Sequence, residues 1–187
     1  MPNPLAKLRK LSRGGSARRF LRDRSGAMAV EFALVAAPLL FMLFSIIELA
    51  LVFMVTSSLE NATTEAARTI RTGAIQQAGG GSQTAFRNAI CAEIRWMQAN
   101  CQTNLSVDVR TFASFTGQNA PDPVNPTTKT FDTAATTYSV GVQGDIVLVR
   151  SFYRWKLISP FLSGGLERLS GGVTLLTATA TFKNEPY

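Results

Sequence analysis

From residue 27 to residue 55 the chain is apolar almost throughout, and Glu31, Pro38 and Glu48 are its only charges or strong helix breakers. The uncharged stretch 32–47 has 16 residues, about 24 Å of helix at about 1.5 Å per residue. A bilayer core is about 30 Å thick, so apolar residues on both flanks must enter with it. The pattern predicts a transmembrane helix. A cleaved secretory signal fits poorly, because the run is too long for such a segment and no small-x-small site follows it.

Past the span the pattern changes to a stripe. Leu59, Ala62, Ala66, Ile70 and Ala74 recur at three- to four-residue spacing, while Glu60, Glu65, Arg68 and Arg71 fall on other faces. Three successive glycines within 77–82 end the helix and read as a hinge. A second amphipathic helix is predicted over 84–99, with Phe86, Ile90, Ile94 and Met97 on one face. Three segments then alternate with period two: 105–111, 146–157 and 176–182. In the middle one, Val147, Val149, Tyr153, Trp155 and Leu157 share a face opposite Arg150, Arg154 and Lys156. Such alternation predicts an antiparallel sheet with one buried and one wet face. Two connections, 117–129 and 163–172, are rich in Pro/Asn/Thr and in Gly/Ser, and 111–141 carries no further signal. The fold class expected is α+β: a long N-terminal transmembrane helix continues into a domain in which a second helix packs on a small antiparallel sheet.

Charge divides the chain sharply. Residues 1–26 hold eight Lys/Arg against one acid, and 27–187 hold 11 of each sign, so the whole formal charge of +7 lies in the leader. A basic flank ahead of the span places the N-terminus in the cytoplasm. The expected organisation is a basic cytoplasmic leader over 1–26, a membrane helix over 27–55 and an extracytoplasmic α+β domain over 56–187. The neutral body argues against a nucleic-acid partner, which needs clustered cations. Histidine is absent, which removes the commonest general base and zinc ligand. Two cysteines are too few for a structural zinc site, and no nucleotide-binding glycine motif occurs. No catalytic residue, metal or cofactor is expected.

The junction of leader and span reads Ser25-Gly26-Ala27-Met28-Ala29-Val30-Glu31-Phe32. A carboxylate inside an apolar segment costs about 2.5–3.5 kcal/mol on insertion scales, so it usually has a job; the plainer reading is a glutamate snorkelling at the interface. This junction resembles that of type IV prepilins. It is most similar to the TadE-like pseudopilins of the tight-adherence (Tad, Flp-type) pilus system, whose signature is a Gly, four residues, then Glu-Phe. The runs 144–162 and 177–187 look like the distal part of the same proteins. The resemblance implies cleavage between Gly26 and Ala27 by a prepilin peptidase, with Glu31 and Phe32 serving peptidase recognition and assembly. The implied partners are that peptidase, other pilins or pseudopilins, the pilus assembly platform and the membrane itself. The implied place is the bacterial inner membrane, crossed once, with the C-terminal domain periplasmic. The alternative is an unprocessed, signal-anchored periplasmic scaffold of an envelope secretion machine.

Three further features have competing readings. Glu48 either marks the outer membrane interface or pairs with a partner. Cys91 and Cys101 stand about 15 Å apart on an uninterrupted helix, so a disulfide requires the helix to end near 97–100 and turn back; otherwise they are two buried thiols. The mixture of aromatics and cations in Phe152-Tyr153-Arg154-Trp155-Lys156 could stack on single-stranded nucleic acid, but strand alternation explains every residue.

Overall fold

The computed structural model describes residues 25–117, 119–159 and 164–187. The leader expected over 1–26 therefore lies outside the described residues up to Arg24, as do 160–163, which include the end of the distal run 144–162 and the start of the Gly/Ser-rich connection. The first helix, α1, spans Ser25–Arg71 and contains Pro38 without ending there. Short and longer elements follow: α2 (Ala74–Gln77), α3 (Gln83–Glu93), a 3-10 turn Arg95–Met97, α4 (Gln98–Asn104), β1 (Leu105–Phe112), β2 (Ile146–Lys156) and β3 (Val173–Lys183). The chain divides into two units, Met1–Leu43 and Phe44–Tyr187.

In the first unit, α1 is apolar around its whole circumference, and every residue from 26 to 43 is exposed except the half-buried Ala36. A helix apolar on all sides has no solvated face to turn to water. In the second unit the same helix narrows to a stripe. Val55, Leu59, Ala62, Ala66 and Ile70 are buried, as are Phe86, Ile90, Ile94 and Met97 of the α3 region and Leu105, Val107, Val109, Val147, Val149, Tyr153 and Leu176 of the sheet. These side chains form one core. The predicted stripe holds as far as Ile70, but Ala74 is exposed. The cause is Gly73, whose φ of 78° reorients the chain after Arg71. The glycines at 79–81 likewise have φ of 90°, 83° and 62°, so the run forms a shaped turn that other residues would strain. Ser82 then caps α3 by accepting from the Ala85 N–H.

The sheet order is β1-β2-β3, all antiparallel. Its helix-facing side is the predicted one. The other side is not wet, contrary to expectation: Phe152, Leu169 and Leu175 form a second cluster there with Val124, Phe131 and Val173. The connection 113–145, for which the sequence carries no signal, supplies Val124 and Phe131, and Phe131 meets the Phe152 ring edge-on at 5.8 Å.

A carboxylate fixes this cover. Asp108 on β1 is fully buried and sits opposite Arg150 in the β1–β2 register, with Arg110 two residues along on the same face. Its oxygens accept from Arg150 Nη2 at 2.6 Å, from Arg110 Nε at 3.0 Å and from the Thr137 N–H at 2.7 Å. The same arginines donate onward to carbonyls of the connection, Arg110 to Ala135 at 2.5 Å and Arg150 to Pro121 at 3.0 Å. Reciprocal backbone bonds between Val109 and the Thr137–Ser139 stretch cover the β1 edge. At the far end of α1, the Glu185 N–H donates to the Arg71 carbonyl, and the buried Asn184 amide donates to Val140 and Val142.

Removing the Asp108 carboxylate would leave two guanidinium groups facing a site without an acceptor. Asp108→Ala is expected to destabilise the protein by about 3 kcal/mol, the low end for breaking a buried ion pair because the arginines keep some solvent. Urea unfolding of the full chain in detergent, followed by circular dichroism, checks this; an unchanged midpoint would mean that the cluster does not hold the connection.

Candidate processing and assembly segment

Gly26, Ala27, Glu31 and Phe32 occupy the first two turns of α1, and all four are exposed. A Cβ added at Gly26 would meet nothing within 4 Å, so no packing in the described residues demands glycine there. Ala27 and Glu31 are four residues apart in the helix, so they share a face one turn apart. Phe32 is 75 % exposed, and so are its apolar neighbours along the span, Leu34 and Val35 at 71 % and 70 %. The arrangement is a carboxylate on a helix surface that is otherwise hydrocarbon.

The cysteines lie elsewhere, in the second unit. α3 ends at Glu93, Ile94 breaks the helix with φ −96° and ψ 63°, and the chain passes through Arg95–Met97 into α4. That change of direction brings Cys91 and Cys101 into a disulfide with Cα atoms 5.6 Å apart, and both are buried. The predicted helix over 84–99 is thus two helices, with the expected apolar face retained on both sides of the break.

In the aromatic and cationic run of β2, Phe152 and Tyr153 are buried, Arg154 and Trp155 are half-buried and Lys156 is exposed. Arg154 donates to the Thr103 carbonyl at 2.6 Å and lies 5.5 Å over the Phe131 ring, while Arg150 lies 5.1 Å over Phe152. Tyr153 is buried, and desolvation pushes its phenol above the usual tyrosine value, partly countered by a hydrogen bond from Asn104; burial also raises Tyr138. Among the described residues, no group of three or more His, Cys, Asp or Glu side chains could hold a metal ion.

Sequence reasoning left Glu48 as a boundary marker, yet it is only 3 % exposed. Its carboxylate accepts from the backbone N–H of Ile158 and, at 2.8 Å, from that of Ser159. The signal was available in principle: a charged residue inside an apolar span generally has a bound partner. Asp108, by contrast, carried no such signal, because an acid between two arginines on alternating strands reads as an ordinary solvated face.

A family model described as TadE-like protein matches residues 26–68. Over those residues the chain is similar to TadE-like proteins. No curated protein and no solved structure matches it significantly. The TadE-like match opens on Gly26 and closes at Arg68, within α1, so it takes in the exposed apolar span and the buried stripe as far as Ala66. The distal runs 144–162 and 177–187 lie outside the matched residues. TadE-like proteins are structural or assembly components of the Tad pilus system, and the candidate transmembrane helix near the N-terminus suits membrane anchoring in such a system.

The disulfide closes a loop of ten residues, a cross-link expected to contribute about 3 kcal/mol by restricting the unfolded chain. Replacing both cysteines by serine should lower the urea midpoint of the oxidised protein accordingly. Adding reductant to the unmodified protein should reproduce the shift, and the double variant should no longer respond to reductant.

Proposed function

We propose that this protein is a TadE-like, membrane-anchored pseudopilin, processed after Gly26 by a prepilin peptidase and taking part in the assembly or initiation of a tight-adherence pilus, hence in surface attachment. The observation that carries the reading is the coincidence at Gly26 of three changes: the basic leader ends, the apolar run begins, and the family match opens.

Cleavage there would alter the physics of the chain. Loss of residues 1–26 removes the entire excess of +7, so the helix is no longer pinned by cations to the cytoplasmic side. The new α-amino group on Ala27 would stand one helical turn from Glu31. It would neutralise that carboxylate in the same subunit or in a neighbour, offsetting the desolvation of both groups. The exposed apolar surface of α1 would serve first as the lipid-facing surface and then as the packing surface among pilin helices. The 56–187 domain would lie in the periplasm, with the inner membrane crossed once; other pilins and the assembly platform are the partners that reading requires.

N-terminal sequencing of the protein from membranes containing active prepilin peptidase is expected to start at Ala27. Full-length chain with an intact leader under those conditions favours the unprocessed scaffold instead. Glu31→Ala, with cleavage and piliation scored separately, tests the second step: piliation should fall at least tenfold, and loss of neither property would count against an assembly role.

A further inference from the structure

Glu48 places a loop of the head at an unexpected level along α1. Beyond Glu48 the helix remains apolar to Val55, and Phe53 and Met54 there are 74 % and 47 % exposed. The first polar run is Thr56-Ser57-Ser58, and the next charge is Glu60. The Glu48 carboxylate therefore sits eight residues, about 12 Å of helix, short of the point where α1 turns polar. At this level the Ile158 and Ser159 N–H groups are bound to it. Leu157 beside them is buried, and Ile158 turns outward, 75 % exposed. Exposed Phe44, Ile46 and Ile47 lie within about one turn of Glu48 on α1.

We propose that the start of the β2–β3 connection, residues 157–159, is a second lipid contact of this protein, seated at the bilayer surface by Glu48. The inference rests on the reading of α1 as a membrane anchor, and continuity with that anchor's apolar surface is what selects lipid as the occupant. Non-helical backbone at membrane depth must have its N–H groups satisfied within the protein, because hydrocarbon offers no acceptor. Glu48 supplies both acceptors from within the span. The cost of a carboxylate in the apolar segment and the cost of two free amides are thereby removed together. Ile158 then presents its side chain to the acyl boundary. On this account Glu48 is a positioning residue for a lipid-facing loop and makes no contact with a partner subunit.

Nitroxide labels on the full chain, reconstituted in vesicles of phosphatidylethanolamine and phosphatidylglycerol, test the assignment. Under non-reducing conditions the native cysteines are held in their disulfide, so Ile158→Cys, Ile46→Cys and Val142→Cys label singly. Val142 is exposed and lies by Asn184, near the Arg71 end of α1, so it reports the aqueous side. The Ile158 label is expected to share the Ile46 label's preference for oxygen over an aqueous nickel chelate, with a ratio several-fold above that of Val142. Adding Glu48→Ala should lower the Ile158 ratio toward the Val142 value while leaving Ile46 unchanged. If Ile46 reports lipid and Ile158 reports water, the loop contact is wrong and the anchor stands. Both labels in water would overturn the anchor and the inference together. An Ile158 label shielded from both reagents would assign the site to a protein partner and sink the lipid assignment.

Discussion

The burial of one stripe of α1 is the interaction on which the rest of the head depends. Val55, Leu59, Ala62, Ala66 and Ile70 join the core with the α3 region and one face of the sheet. The small residues in that stripe let neighbouring backbone approach closely, and the large ones at its ends fill the space between elements. Without it, the inward faces of β1, β2 and β3 would lose much of their cover, and a three-stranded sheet needs such packing to be stable. One helix thus presents hydrocarbon on every side over its first part and on a single side over its last, and the change falls where its sequence acquires Thr56, Ser57, Ser58 and Glu60.

Two buried carboxylates close the structure where apolar packing alone does not reach. Asp108 gathers Arg110, Arg150 and the Thr137 amide, so a connection of more than thirty residues with little regular structure becomes the second face of the sheet. Glu48 gathers two backbone amides beside the end of β2. In each case the burial of charge is tolerable because hydrogen bonds satisfy the carboxylate, and in each case the groups held include backbone N–H that would otherwise be unsatisfied.

Much was legible in the residues alone because it depends on local pattern. The candidate transmembrane helix follows from an apolar run too long for a secretory signal, the core faces of α1 and α3 from their three- to four-residue spacing, and the strands from period two. The junction at Gly26 and Glu31 is likewise local: it is a contrast of charge and apolarity within a few residues, and the TadE-like match begins at that junction. The break at Ile94 was visible only as a condition, since the disulfide required a turn that no single residue of 94–97 announces.

What the sequence by itself determined about this protein is its division into a charged leader, an apolar span and a neutral α+β body, with the likeness to TadE-like proteins over residues 26–68. Those are properties of composition and periodicity, which neighbouring residues settle among themselves. Only the tertiary structure decided that the outer sheet face is covered, that Ala74 leaves the stripe and that Glu48 binds the chain 110 residues further on. Period-two alternation says which residues share a face but not what lies on it: Arg150 looks the same whether water or a buried Asp108 receives it. The difference is made by a carboxylate and a distant loop arriving at one place, and that meeting exists only once the chain has folded.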